Sequence, residues 1–131
     1  VNNHFIKNIQ KYYYFKIKKN ICFDLDNVIC KTINKNYKNS KPIKKSIKLI
    51  NELFDEGHNI IIFTARGMGK FNGNVRLVEK EYKKLSISQL KKWKLKYHQI
   101  IFGKPSYDIF VDDLAFGFKK NWQSNFKKLL K

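Results

Sequence analysis

Four of the chain's ten acidic residues fall in two tight pairs, Asp24 with Asp26 and Asp112 with Asp113. Each pair closes a short apolar run, Ile21-Cys22-Phe23 or Ile109-Phe110-Val111, of the kind that reads as a buried strand. Carboxylates at such strand ends are costly unless they are paired or bind a metal. Where they converge, a hard divalent cation is the natural counter-ion, and an all-oxygen ligand set favours Mg²⁺ over zinc. The two-residue offset between Asp24 and Asp26 puts both side chains on one side of a locally extended chain. Cys22 and Cys30 flank the first pair without metal-ligand spacing and read as reduced and structural. His58 follows a helix-ending glycine and His98 precedes an apolar run, so both read as structural rather than as zinc ligands or general bases.

These groups need a scaffold that brings strand ends together. A helix is expected from Ser40, with Pro42 in its first turn and Ile43, Ile47, Ile50 and Phe54 on one face, ending at Gly57. A second buried strand, Ile60 to Phe63, stops at Thr64 and leads into a loop punctuated by Gly67, Gly69 and Gly73. Val75, Val78, Tyr82 and Leu85 mark another helix. Ser86 with Gln89 reads as a capping box that opens a further one, carrying Leu90, Trp93 and Tyr97. Short apolar runs follow at Ile100–Phe102 and Ile109–Val111, and residues 114–131 read as helical. Strands alternating with amphipathic helices indicate an α/β fold, Rossmann-like and three-layered (α/β/α), with a mainly parallel sheet. Ligands in such folds bind outside the carboxyl ends of the strands, where every polar signal above sits. One difficulty is visible: the gap between Phe102 and Ile109 is shorter than a parallel crossover needs, so one run is a stub or the two are not parallel neighbours. At 131 residues the chain accommodates one domain, residues 20–131, preceded by an aromatic, basic extension over residues 1–19 that is a helix or the tail of a missing segment.

The stretch Asp24-Leu25-Asp26-Asn27-Val28, Thr64 closing Ile-Ile-Ile-Phe-Thr, Lys104, and Asp112-Asp113 after Ile-Phe-Val together resemble the four motifs of the haloacid dehalogenase (HAD) superfamily, across residues 20–113. The text TARGMG, the Gln-Leu-x-x-Trp helix and Gly-Lys-Pro-Ser-Tyr-Asp further resemble its short, cap-less capsular-polysaccharide biosynthesis phosphatases. The resemblance implies a HAD-like fold without a cap domain and a Mg²⁺-dependent phosphatase working through an aspartyl-phosphate. It implies Asp24 as nucleophile and Asp26 as the acid that protonates the leaving alkoxide and then deprotonates water. Thr64 would hold a phosphoryl oxygen, Lys104 would offset charge, and Asp24, the Asp26 carbonyl, Asp112 and Asp113 would bind Mg²⁺, with Asp113 a ligand or one step removed. Asn27, Arg66 and Gly67 are candidate substrate-binding residues, although a loop salt bridge is the competing account of Arg66. Asn27 and Val28 depart from the usual small residue and Thr after the second Asp. An open site, or one covered by a neighbouring subunit in a homo-oligomer, follows from the absence of room for a cap and permits bulky substrates. A sugar phosphate of capsular or surface-polysaccharide assembly is the implied substrate.

Composition bounds the alternatives. With 43% hydrophobic residues the chain has enough apolar side chains to fold, and no apolar run approaches the length of a membrane span. No secretory signal is visible, which with reduced cysteines points to the cytoplasm. The net charge of +18 would attract nucleic acid, anionic lipid or phosphorylated substrates. Only Arg66 and Arg76 among the 28 basic residues are arginines, the type best suited to bidentate phosphate or base recognition, which favours a solvated lysine surface. Two further readings stay open: a nucleotidase or polynucleotide 3′-phosphatase, and a non-catalytic basic module for nucleic acid or anionic membrane. Trp93, Trp122 and the Tyr12–Phe15 run read as packing rather than as base-stacking platforms.

Overall fold

In the computed structural model of the chain, residues 17–130 are described, so the expectation for the N-terminal extension lies almost wholly outside them. Strand β1 (Asn20–Asp24) is followed by two short strands, β2 (Cys30–Lys31) and β3 (Lys41–Pro42), that pair antiparallel. Helix α1 (Lys44–Asp55), strand β4 (Asn59–Thr64), helix α2 (Val75–Lys92), strand β5 (Gln99–Phe102) and helix α3 (Trp122–Leu129) complete the order. The main sheet is β1-β4-β5, parallel throughout, with Asp24 level with Phe63 and Thr64 level with Phe102. The chain is therefore an α/β protein whose three strands end at one rim.

The period-two pattern of the strands sorts their faces. Ile21, Phe23, Ile60 and Ile62 are buried against Ile47, Ile50 and Leu53 of α1 and Trp122 and Phe126 of α3. Each such aliphatic side chain contributes on the order of 2 kcal/mol by leaving water. The opposite face, carrying Cys22, Ile61 and Phe63, is only partly covered by the described residues, so the sheet and the helices on its buried face are two of the three layers expected. Helix α1 ends as its glycine requires: Gly57 lies at φ +95°, its N–H donates to Phe54 O (2.9 Å), and His58 N–H donates to Leu53 O (3.1 Å). His58 and His98 are both structural. The Nδ1 of His58 accepts from Lys19 N–H and that of His98 from Ile60 N–H, tying strand backbones at 3.1 and 2.9 Å.

Four local expectations change. Helix α1 starts at Lys44 with Ile43 before it, because Pro42 pairs with Cys30 and the Ser40 hydroxyl is engaged with Thr32 (2.6 Å) instead of capping. The two helices expected across residues 75–97 are one, Val75–Lys92, opened by Asn74, whose side chain accepts from Leu77 N–H (3.2 Å). Ser86 and Gln89 lie inside it, so they are not a cap. Ile109–Val111 is not a strand: it is irregular, with Ile109 82% and Val111 92% exposed. Six residues after Phe102 cannot carry the chain back to start a parallel neighbour. The helical tail reduces to Trp122–Leu129.

Candidate active site

Asp24 stands where β1 leaves the sheet, and the backbone N–H of Leu25 donates to its Oδ1 at 2.9 Å. Beside it β4 ends at the fully buried Thr64, whose hydroxyl accepts from Arg66 N–H (3.1 Å) and donates to no protein group among the described residues. Strand β5 then turns at Gly103 (φ +98°), where a Cβ would meet Val75 Cγ2 at 2.9 Å. The turn brings Lys104 N–H onto Thr64 O (3.1 Å) and its ammonium within 3.5 Å of Asp24 Oδ1. Burial pushes the Asp24 carboxyl above its ordinary pKa, more than the Lys104 charge and the Leu25 amide pull it down. Burial draws Lys104 down, but the Tyr107 side chain and Asp24 outweigh it, so Lys104 sits above its ordinary pKa and keeps its proton at neutral pH.

Asp26 meets a different cation. Arg66 is 1% exposed, and its guanidinium forks onto Asp26 through Nη2 to Oδ1 (2.9 Å) and Nε to Oδ2 (3.0 Å). Its Nη1 donates to Ser86 Oγ (3.0 Å) and Gln89 Oε1 (2.7 Å) on α2. The Tyr37 ring lies 5.0 Å from the guanidinium carbon, and Gln89 Nε2 donates to Tyr37 O (2.6 Å). Thr32 Oγ1 donates to Asp26 Oδ1 (2.5 Å), and the Cys30 thiol lies 3.6 Å from the same oxygen. Burial first, then the Asp26 charge, pushes that thiol up to about 11. Every strong donor of Arg66 is thus met by protein. The expected substrate clamp is corrected to a buried ion pair that fastens the loop after β1 to α2, since a guanidinium out of water must have its donors satisfied.

Gly67 is also packed inward. It is buried at φ +75°, and a Cβ there would strike the Tyr82 ring at 2.6 Å, so the glycine serves the turn. Asn27 is exposed in the left-handed region (φ 66°), and its Oδ1 accepts from Thr32 N–H (3.2 Å).

The structure brings Asp24, Asp26, Thr64 and Lys104 to one rim and does not bring Asp112 and Asp113 there. Both are exposed in the irregular stretch after β5, and Asp112 Oδ1 accepts from Leu114 N–H (2.7 Å). With Asp26 held by Arg66, no three metal-capable side chains converge among the described residues. Of the expected Mg²⁺ ligands, those of Asp24 and Asp26 stand at the rim and those of Asp112 and Asp113 stand apart from it.

The sequence reading missed Tyr37, Ser86 and Gln89 as partners of Arg66. The available signal was two hydrogen-bonding side chains three residues apart on the buried side of a helix, which the capping-box reading absorbed.

No family model and no curated protein matches the chain. A crystal structure from Vibrio cholerae, described only as an MCSG target, is similar with a TM-score of 0.71 and 25% identity, covering 88% of this chain and 100% of that one. The α/β architecture is thus shared along almost the whole length of both.

Proposed function

We propose that the protein is a cap-less phosphomonoesterase of the HAD type, with Asp24 as nucleophile. The observation that supports this best is the pairing at the rim of a parallel sheet of a half-buried carboxylate with a buried lysine, Asp24 Oδ1 to Lys104 Nζ at 3.5 Å, next to a buried threonine hydroxyl with a proton to give. In the proposed reaction an Asp24 oxygen attacks phosphorus, the bond from phosphorus to the ester oxygen breaks, and an acyl phosphate forms. The Thr64 hydroxyl donates to a phosphoryl oxygen, and the Lys104 ammonium offsets the gathering negative charge. The departing alkoxide takes up a proton. In this reading Asp26, protonated from solvent as it leaves part of the Arg66 fork, supplies it. The carboxylate so formed then takes a proton from the water that attacks phosphorus, which cleaves the acyl phosphate, returns Asp24 and releases phosphate.

Mg²⁺ dependence belongs to the proposal, as does a sugar phosphate of surface-polysaccharide assembly as substrate; both rest on the motif resemblance. The test is hydrolysis of an aryl phosphate with Mg²⁺, with EDTA, and by Asp24→Asn. The expected result is turnover that EDTA removes and Mg²⁺ restores, and that Asp24→Asn lowers at least about a thousandfold at unchanged melting temperature. Full activity in the folded variant excludes Asp24 as nucleophile.

A further inference from the structure

Beyond Lys104 the irregular stretch does something specific. Tyr107 and Phe110 fold back so that their rings lie 5.1 Å apart at an interplanar angle of 35°. Both rings sit against the buried ammonium, with Lys104 Nζ 5.2 Å from the Tyr107 centroid and 5.6 Å from that of Phe110. The same ammonium is the partner of Asp24, so the carboxylate and the aromatic pair flank one cation. Yet the rings are not core: Tyr107 is 44% and Phe110 50% exposed. Two neighbouring aromatic side chains left half in water are costly to solvate, and they are held there by the one buried lysine among the described residues.

We propose that Tyr107 and Phe110 form a stacking platform at the mouth of the site, and that the ligand is a phosphate monoester whose ring lies next to the phosphate. The phosphate meets Lys104 beside Asp24, while the ring packs on the exposed aromatic surface. A sugar's apolar face and a nucleobase share this chemistry. The inference rests on the phosphomonoesterase reading for its orientation of the ligand, but its test does not require turnover.

The probes are phenylphosphonate and methylphosphonate, which carry the same headgroup and cannot be hydrolysed at the phosphorus–carbon bond. Affinities are measured by calorimetry on the full chain. The expected result is phenylphosphonate bound roughly tenfold more tightly, an advantage that Tyr107→Ala with Phe110→Ala abolishes and Tyr107→Phe keeps. Equal affinities in the unsubstituted protein overturn the proposal, as does an advantage that survives the double substitution in a protein of native circular dichroism. A hexose phosphate and a nucleoside monophosphate then distinguish the two sources by which one loses affinity in the double variant. Ring preference without phosphatase turnover leaves the platform standing and removes the enzyme reading, whereas turnover without ring preference does the reverse.

Discussion

Replacing Arg66 by Met keeps much of the side chain's length and removes its charge and every donor. The guanidinium is fully buried on its side-chain atoms while the Asp26 side chain keeps 19% of its exposure. Breaking a buried pair costs about 3–5 kcal/mol, and partial hydration of the orphaned carboxylate places this case at the lower end, about 3 kcal/mol. Ser86 and Gln89 lose a partner at the same time, which keeps the figure from falling further. For a chain of this size roughly 4 °C of melting temperature accompanies each kcal/mol, so a drop of about 12 °C is expected by calorimetry or circular dichroism. Arg66→Lys retains the charge but loses the fork and should fall between the two. In a double-mutant cycle, Asp26→Asn with Arg66→Met should lose about 1–3 kcal/mol less than the sum of the single losses. A melting temperature within about 3 °C of the unsubstituted protein, with a raised KM for phosphate esters, refutes the buried-pair reasoning and reinstates the clamp.

Other expectations follow from single contacts. Asp26→Asn should cost activity on alkyl phosphates about a hundredfold more than on nitrophenyl phosphates, because only the poor leaving group needs a proton; equal losses on both make Asp26 purely a loop anchor. Gly67→Ala should destabilise by at least about 1–2 kcal/mol from the positive φ alone, with the Tyr82 contact adding to it, and an unchanged urea midpoint contradicts that. The Cys30 thiol, held up to about 11, should resist iodoacetamide at pH 8 in the folded protein and react fully in urea, as followed by mass spectrometry. Burial, ahead of Lys18 and Lys19, lowers the pKa of His58, whose neutral Nδ1 accepts from Lys19. Its contribution to stability is then present above its unfolded value and is lost as pH falls through the lowered folded value. The stability advantage of the native protein over His58→Asn should accordingly shrink from pH 7.5 to pH 5 in urea titrations.

Much of the scaffold was legible because its signals are local. The runs Ile21–Phe23, Ile60–Phe63 and Ile100–Phe102 became the three parallel strands, and the 3.6-residue apolar period of α1 with Gly57 after it marked that helix and its end. The acidic residue and the threonine closing the first two strands came to one rim, as parallel pairing demands. Reading failed where a local pattern had two uses. Ser86 and Gln89 fit a cap and a buried acceptor pair equally well in linear text, and burial of Arg66 made them acceptors. Ser40 likewise left the helix start for Thr32, because a hydroxyl beside a buried ion pair gains more from that network than from an exposed cap.

What the residue order determined alone is the three strands of the main sheet, their shared direction and the polar residues at two of their ends, since apolar period and strand-ending polar groups act over a few residues. The tertiary structure alone decided which cation each carboxylate meets: Lys104 for Asp24, Arg66 for Asp26, and neither for Asp112 and Asp113. Pairing is settled through space, by which donors are stranded out of water together. A chain with only six residues between Phe102 and Ile109 had no length left to carry the last acidic pair into a parallel strand beside the first.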